Sequence, residues 1–264
     1  MNDIHLLEQL WQFYSQGNPQ ARQIHELLKN TGETIINDHI AFRTINDERL
    51  NLHALGKVFQ SMGYQPMDTY TFPQKKLTAM HFEHKNPKQP KIFISHLHLE
   101  AFSKRLQTIL QACFNEVKTD NPLPQRLLYS GRHWGDISYK TYCELAEESE
   151  YAAWLYCFGL CPNHFTISVN HLKQYTSLEA LNDFLMDHDF ELNPAGGLIK
   201  GSPSQYLEQS STLAYKVKLT FIEGTYAIPY CYYEFAKRYK KDGALFQGFI
   251  SQSADKIFQS TDRQ

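Results

Sequence analysis

The chain has 264 residues, 42% of them hydrophobic and 14% aromatic, so it can bury a proper core, and we expect a single domain over 1–264. With 26 basic and 28 acidic residues the net charge is −2, and no Lys/Arg-rich block is present, which excludes nucleic acid as an implied partner. The mean hydropathy of −0.48, the lack of a long apolar run and a start without signal-peptide features predict a cytoplasmic protein that makes no membrane contact.

Composition and periodicity divide the chain into five parts. We expect N-terminal helices in 1–36, a first module in 37–118, a helical connection in 119–160, a second module in 161–240 and a helical tail in 241–264. In the first three parts, apolar spacing and turn residues predict these elements: helices over 4–16 and 19–30, a strand over 38–45, a helix from 46 to 62, extended segments over 64–72, 77–84 and 91–95, and helices over 99–114, 139–149 and 151–158.

The second module repeats the order of strand, helix and several strands without repeating the sequence. Its predicted elements are a strand over 163–169, a helix over 178–187, a short extended segment over 190–192, and strands over 213–221 and 226–235. Pro229 crosses the last strand and suggests an edge or a bulge there. The long segment 196–212 is rich in Gly, Ser and Pro; it is predicted as a loop, either a lid over a site or a mobile surface connection.

Several polar side chains on the predicted strands are candidates for a functional site. Alternation places His39 and Arg43 on one face of the first strand, with the apolar Ile40 on the other. His164 opens the second module in the same way, and Glu234 lies among aromatic residues on the last strand. Two imidazoles and one carboxylate would suit Fe(II) or Zn²⁺. The alternatives are a solvated edge strand and, for the acid, an ion pair with a nearby basic residue, Arg238 or Lys237.

Other candidate ligands are weaker. The pairs His96/His98 and His81/His84 have spacings that can chelate a metal, but the first pair lies where a strand gives way to a helix. Cys157 lies in an apolar helix end, where a free cysteine serves as a small hydrophobe. Five cysteines without a repeating frame argue against a disulfide scaffold. The chain also lacks the glycine motifs of nucleotide-binding loops and the G-x-S-x-G nucleophile motif.

Several separated segments resemble one known family. Asp38-His39-Ile40-Ala41-Phe42-Arg43-Thr44, Asn163-His164-Phe165-Thr166 and Tyr233-Glu234-Phe235-Ala236-x-Arg238 are similar to signature segments of the DUF1338 family, which includes 2-oxoadipate dioxygenase/decarboxylases. The segments 151–154, 196–201 and 209–212 resemble it too. The similarity extends from about residue 35 to 240 and implies an α+β fold in which two βαβββ modules, similar to the vicinal oxygen chelate architecture, surround a metal cavity.

The resemblance also implies a reaction and a site. Fe(II) would be held by His39, His164 and Glu234, although Zn²⁺, Ni²⁺ or Mn²⁺ could occupy the isolated protein. Arg43 would hold a substrate carboxylate. The family reaction converts 2-oxoadipate and O₂ to 2-hydroxyglutarate and CO₂ in lysine breakdown. We expect further substrate contacts from four hydroxyl side chains: Thr166, Ser168, Ser210 and Ser211.

Two other functions remain open at this point. One is a divalent-metal isomerase or lyase of the glyoxalase type, which would turn over without O₂. The other is a non-catalytic protein that binds a small acid. Family members associated with the 2-oxoadipate reaction are longer beyond the Glu234 strand, which leaves room for a different 2-oxo acid as substrate without affecting the metal ligands.

Overall fold

A computed structural model describes residues 3–120 and 122–250, so the predicted tail beyond residue 250 lies outside the described residues. The helices, numbered in chain order, are α1 (Asp3–Gly17), α2 (Pro19–Asn30), α3 (Leu52–Gln60), α4 (Lys104–Asn115), α5 (Tyr139–Glu148), α6 (Glu150–Phe158) and α7 (Leu178–Met186). The strands are β1 (Asn37–Ile45), β2 (Tyr64–Phe72), β3 (Leu77–His84), β4 (Lys91–Leu97), β5 (Pro162–Ser168), β6 (Lys200–Ser202), β7 (Leu207–Ser211), β8 (Lys216–Phe221), β9 (Gly224–Pro229), β10 (Tyr232–Arg238), β11 (Lys240–Lys241) and β12 (Ala244–Leu245).

Eight of these strands form one sheet in the order β2-β3-β4-β1-β5-β10-β7-β6. Module 1 (β1, α3, β2, β3, β4) and module 2 (β5, α7, β6, β7, β10) have the same strand order outward from the centre, where β1 and β5 pair antiparallel. The first and last strands of each module, β1 with β4 and β5 with β10, pair in parallel. The predicted α+β fold with paired βαβββ modules is therefore confirmed. The hairpin β8–β9 is an insertion between the third and fourth strands of module 2.

Strand alternation sorts side chains between a helix-covered outer face and an inner face. On the outer face, Trp11 of α1 packs edge-on against Phe165 of β5, with ring centroids 5.2 Å apart, and Phe59 of α3 packs 5.5 Å from Phe42 of β1. These aromatic contacts bury the apolar side of the central strands, which stabilises the sheet. The polar residues that alternate with them, including His39, consequently face inward.

Helix α6 closes one end of the inner face. The hydroxyl of Tyr151 accepts a hydrogen bond from the Thr44 amide (3.1 Å) and donates one to the Ser95 carbonyl (2.8 Å). Trp154 donates its indole N–H to the Tyr230 carbonyl at 2.6 Å, just before β10 begins. The helix is thereby attached to β1 and β4 of module 1 and to the segment that leads into β10 of module 2. Among the described residues, no helix combines the length and apolar character needed to cross a bilayer.

Several predicted elements differ from the structure. The helical tail predicted from residue 241 is wrong in its described part, where Lys240–Lys241 and Ala244–Leu245 pair as β11 and β12. The helix predicted from 46 begins only at Leu52, because Asn51 caps it through its side chain, which accepts from the amides of His53 and Ala54. The loop prediction for 196–212 is wrong over 200–202 and 207–211, which form β6 and β7 within the main sheet. The single strand predicted over 226–235 is two strands, since the chain leaves β9 at Pro229 and enters the main sheet only at Tyr232.

Candidate metal centre

Three side chains from three adjacent strands converge on the inner face. They are His39 on β1, His164 on β5 and Glu234 on β10. The two imidazole Nε2 atoms are 3.3 Å apart, and the carboxylate oxygens lie 3.5 Å from Nε2 of His39 and 3.3 Å from Nε2 of His164. All three side chains are buried, and their ligand atoms lie within 4.8 Å of one another. Within the described part of the chain, this is the one group of three or more potential ligand residues that could hold a metal ion.

The strand pairing explains why residues so far apart in sequence meet. Thr166 of β5 lies opposite His39 on one side and beside Glu234 on the other. His164, two residues before Thr166, shares its face of β5. The three ligands therefore occupy neighbouring inward positions on strands that are hydrogen-bonded to each other, and no loop is needed to bring them together.

Each histidine is oriented by the residue that precedes it. The Nδ1 atom of His39 lies 2.9 Å from the Asp38 carboxylate, and Nδ1 of His164 lies 3.0 Å from the side-chain oxygen of Asn163. An Nδ1–H that donates to these acceptors leaves the lone pair on Nε2, the atom that faces the centre of the site. Both imidazoles thus present the nitrogen that a metal ion needs.

The structure removes an alternative explanation for the buried carboxylate of Glu234. Arg238 pairs with Asp38 instead, through Nε to Oδ2 at 2.7 Å and Nη2 to Oδ1 at 2.8 Å. Lys237 donates its ammonium to the carbonyl of Thr176. Glu234 accepts a hydrogen bond from the side-chain amide of Gln209 at 2.6 Å. The alternative in which Arg238 or Lys237 pairs with Glu234 is therefore not the one that the structure adopts, and the carboxylate of Glu234 faces two imidazoles and an amide.

Burial makes this cluster unfavourable without a cation. Burial raises the pKa of the Glu234 carboxyl, an effect that the nearby His39 opposes. Burial also lowers the pKa of His164 well below its ordinary value, and the charges of His39 and Arg43 lower it further. The shift at His164 favours the neutral imidazole that divalent metal ions bind, and a cation would offset the cost of burying the Glu234 carboxylate. The donor set, two imidazole nitrogens and one carboxylate on one side, therefore fits a catalytic metal ion.

The pKa of Asp38 is held well below its usual range. Burial alone would raise that pKa, but the charge of Arg238 and the hydrogen bonds from His39 and Arg238 outweigh the effect. Asp38 is thus a carboxylate under ordinary conditions, although only 4% of its side chain is exposed. A charged acceptor fixes the ring of His39 more firmly than a neutral one would.

Arg43 lies on the same face of β1 as His39, about 13 Å further along the strand at ~3.3 Å per residue. Its guanidinium carbon stands 5.0 Å from the ring centroid of Tyr151 and 5.1 Å from that of Trp154, both on α6. Although only 3% exposed, Arg43 lines a cavity of about 360 Å³ that reaches the surface between residues 74–76 and 146–151. The guanidinium is therefore held against two aromatic rings at the inner end of this cavity.

The four predicted substrate hydroxyls do not share one environment. Thr166 lies in the centre of the site, with its hydroxyl 3.1 Å from Nε2 of His39. Ser168 shares that face of β5, where its hydroxyl lies 2.9 Å from Nδ1 of His171. Ser211 is paired with Glu234 and shares its face. Ser210 points to the opposite face and donates to Asn182 of α7 at 2.8 Å, so the predicted substrate contact of Ser210 is wrong.

The other histidines considered from the sequence have local partners. His81 contacts Tyr70 and Glu83, each at 3.0 Å, and the His98 ring nitrogen lies 2.8 Å from the Thr78 hydroxyl. The His96 ring lies beside that of His98, with centroids 5.1 Å apart. None of these histidines belongs to a metal-like group among the described residues.

Sequence reasoning missed four residues around the centre: Asp38, Asn163, Gln209 and Phe249. The first two carry a signal that can be read from the sequence, because a carboxyl or amide residue directly precedes each ligand histidine. Gln209 was hidden because its segment was predicted as a loop. Phe249 lies beyond the last predicted strand, and no motif points to it.

Comparison with known proteins agrees with this geometry. The family model for 2-oxoadipate dioxygenase/decarboxylase matches residues 2–128 and 125–243. The chloroplastic/amyloplastic 2-oxoadipate dioxygenase/decarboxylase of Oryza sativa is 34% identical over 94% of this chain and 75% of its own length.

Solved structures show the same architecture. The hydroxyglutarate synthase of Oryza sativa in complex with 2-oxoadipate has a TM-score of 0.90 and 33% identity, covering 98% of this chain and 91% of that one. A protein of Shewanella frigidimarina, provisionally described as a hydrolase, has a TM-score of 0.90 and 46% identity, covering 95% and 99%. A glyoxalase-superfamily protein of Ralstonia eutropha, at 20% identity and a TM-score of 0.74, covering 92% and 84%, shares the fold.

Proposed function

This chain belongs to the 2-oxoadipate dioxygenase/decarboxylase family, and we propose that it uses Fe(II) and O₂ to convert a 2-oxo dicarboxylic acid such as 2-oxoadipate to 2-hydroxyglutarate and CO₂. The observation that supports this most strongly is the buried set of His39, His164 and Glu234 at 3.3–3.5 Å. Because Arg238 is committed to Asp38, a metal ion is the charge partner that suits Glu234 best.

Iron held by His39, His164 and Glu234 would supply the binding and activation of a 2-oxo acid and O₂. The protein's own contribution is positioning. Nδ1–H bonds to Asp38 and Asn163 orient the two rings, and Gln209 holds one oxygen of Glu234. The ligands are therefore arranged before the metal ion binds, which reduces the cost of assembling the site.

Arg43 supplies a binding point for the second carboxylate of a dicarboxylic acid. Its planar guanidinium can form two parallel hydrogen bonds to a carboxylate, and the stacked rings of Tyr151 and Trp154 exclude water around it. Between Arg43 and the ligands, the inner face of β1 carries only the methyl group of Ala41. In this proposal the methylene chain of the substrate lies over Ala41, with its 2-oxo acid end at the metal centre and its other end at Arg43.

Thr166, Ser168 and Ser211 stay in the proposal as polar contacts for the substrate, Thr166 being the nearest to the ligand atoms. The rice hydroxyglutarate synthase solved with 2-oxoadipate is covered over 91% of its chain, which supports 2-oxoadipate as the substrate in this proposal. A role in lysine breakdown and a cytoplasmic location remain predictions. The rice relative is described as chloroplastic/amyloplastic.

The test is turnover by iron-loaded protein. We expect O₂ consumption and CO₂ release with 2-oxoadipate in air, and neither in the absence of O₂. Metal analysis should find about one iron per chain in the wild type and almost none in a His164→Ala variant. Failure to consume O₂ with any member of a panel of 2-oxo acids would reject the proposal.

The same assay separates the other candidate functions. A glyoxalase-type isomerase or lyase, or the hydrolase activity suggested for the Shewanella protein, would turn over without O₂ and with Zn²⁺, Ni²⁺ or Mn²⁺. A binding protein would retain a 2-oxo acid, measurable by calorimetry, without product formation under either condition. No observation on the described residues favours these alternatives over the dioxygenase.

A further inference from the structure

The C-terminal segment crosses the inner face of module 1 and places an aromatic ring on a metal ligand. The ring of Phe249 meets that of His39 edge to face, with centroids 4.9 Å apart at 89°. It also packs against Phe93 at 4.8 Å, His81 at 5.4 Å and Tyr70 at 5.9 Å. Only 8% of Phe249 is exposed, so the ring covers His39 on the side of module 1 and excludes water from it.

One side chain holds both this segment and the ligand histidine. Arg238 uses Nε and Nη2 for the Asp38 carboxylate, which in turn accepts from Nδ1 of His39. Its remaining nitrogen, Nη1, donates to the carbonyls of Phe246 at 3.0 Å and Gly248 at 2.7 Å. The guanidinium also lies 5.1 Å from the ring of Phe249.

The segment is held at a second point as well. The amide of Phe249 donates to the hydroxyl of Tyr70 at 3.1 Å, and that hydroxyl lies 3.0 Å from Nδ1 of His81. The amide of Phe246 donates to the carbonyl of Tyr239 at 2.9 Å. Residues 246–249 are thus fixed by backbone hydrogen bonds at both ends, with the ring of Phe249 between Arg238 and His39.

We propose that residues 246–249 are a working part of the metal centre: Arg238 is a positioning residue that links the seating of this segment to the orientation of His39, so that metal binding and segment docking reinforce each other. The inference rests on the proposed metal site but not on the proposed reaction. Its basis is the continuous set of contacts from the Phe246 and Gly248 carbonyls through Arg238 and Asp38 to His39.

Linkage makes the coupling reciprocal. A metal ion on Nε2 of His39 polarises the ring and strengthens the bond from Nδ1–H to Asp38, which favours the arrangement in which Arg238 is fully engaged. If docking of residues 246–249 raises the metal affinity by a given factor, metal binding must favour docking of this segment by the same factor. Loss of an outer contact to a ligand histidine typically lowers metal affinity by about 10- to 100-fold.

The first experiment follows amide hydrogen exchange of residues 246–249 with and without Zn²⁺, used as a redox-inert probe. We expect Zn²⁺ to slow exchange in this segment by about 10-fold or more in the wild type. In Arg238→Lys, which keeps the charge and loses the fork, Zn²⁺ should leave the exchange rates unchanged. Leu245→Ala, a substitution in the same stretch at an exposed residue, should behave as the wild type does.

The second measurement is Zn²⁺ affinity by competition with a chromophoric chelator, together with the absorption spectrum of the Co²⁺ form. Arg238→Lys should weaken Zn²⁺ binding by about 10- to 100-fold and shift the Co²⁺ bands, because His39 is no longer held in one orientation. Phe249→Ala, which keeps Arg238 and its bonds to the Phe246 and Gly248 carbonyls, should weaken Zn²⁺ binding by about 3- to 10-fold.

The outcomes separate this inference from the proposed function. Zn²⁺ binding with unchanged exchange at 246–249, or wild-type Zn²⁺ affinity in both variants, would overturn the coupling alone. No Zn²⁺ binding by the wild type would overturn the metal assignment and the coupling together. Coupled Zn²⁺ binding in a protein that turns over no 2-oxo acid would support the inference and reject the proposed reaction.

Discussion

The two modules have the same topology but bring different chemistry to the centre. The pairing register places His39 of module 1 and His164 of module 2 at equivalent positions on their first strands. On the fourth strands, the position that carries Glu234 in module 2 carries Phe93 in module 1. Module 2 therefore provides two potential ligands and module 1 provides one, with an aromatic side chain in place of the second acid.

The same contrast appears around the ligands. Each histidine donates to the residue before it, but Asp38 in module 1 is charged and paired with Arg238, whereas Asn163 in module 2 is neutral. At equivalent positions on the second strands, module 1 has Tyr70 and module 2 has Lys200. The repeated scaffold fixes where side chains point, and the residue type at each position then decides whether that half binds a cation or forms an apolar wall.

We expect the largest effect from removing the negative charge of Glu234 on the fourth strand of module 2. Glu234→Gln keeps the size of the side chain and removes the carboxylate, so we expect metal affinity to fall by about 1,000-fold or more. The equivalent change in module 1, Phe93→Leu, should cost about 1 kcal/mol of stability and leave metal affinity within about 3-fold. Equilibrium dialysis with Zn²⁺ and thermal unfolding of both variants provide the comparison. Equal metal affinities in the two variants would contradict the assignment of a metal ligand to this position in module 2 and of an apolar residue in module 1.

The next effect concerns the residues that orient the histidines. Asp38→Asn leaves the buried guanidinium of Arg238 without its carboxylate, which should destabilise the fold by about 3–5 kcal/mol. Asn163→Ala removes a neutral acceptor from His164 and should cost about 1–3 kcal/mol. Denaturant unfolding of the metal-free proteins measures both. A larger loss for Asn163→Ala would show that the charged pair is not the stronger of the two supports.

A smaller effect is expected for Arg43, which tests substrate binding separately from metal binding. Arg43→Lys keeps the charge but loses the planar fork and the stacking on Tyr151, so kcat/KM for 2-oxoadipate should fall by about 10- to 100-fold, mostly through KM. Zn²⁺ affinity should stay unchanged. Arg105→Lys, at a side chain that is 66% exposed, is the matched control. Wild-type kcat/KM in Arg43→Lys would remove Arg43 from the substrate site.

The smallest effect is a pH dependence at Lys200. Burial lowers the pKa of its ammonium to about 8, with Glu234 opposing the shift, whereas the unfolded chain has a pKa near ~10.4. Between these values the unfolded state binds more protons, so the folded state gains stability as the pH rises from about 8 to about 10.5. The unfolding free energy of the wild type should therefore rise relative to that of Lys200→Met over this range. A shift in the opposite direction would mean that Lys200 is stabilised in its charged form.

Local patterns were sufficient to predict the direction of several important side chains. Alternation in short strands placed His39 and Arg43 on one face, and the same reasoning placed His164 on the inward face of its strand. This worked because each prediction needs only the direction of a side chain on its own strand. Family resemblance then supplied the expectation that the strands meet.

The failures have a common physical cause, which is that tertiary pairing decided the outcome. β7 was predicted as a loop because Gln209, Ser210 and Ser211 are polar, yet the strand is buried and hydrogen-bonded between β6 and β10. Without a strand, alternation could not be applied, so the outward direction of Ser210 was not predicted. The partner of Arg238 is 200 residues away, so sequence proximity offered Glu234 as a partner and gave no sign of Asp38.

The most direct test of this account is the crystal structure of protein loaded anaerobically with Fe(II), with diffraction data collected on both sides of the iron absorption edge. We expect one anomalous peak per chain, bonded to Nε2 of His39, Nε2 of His164 and a carboxylate oxygen of Glu234. A peak elsewhere, or none in protein that retains iron in solution, would contradict the proposed metal centre.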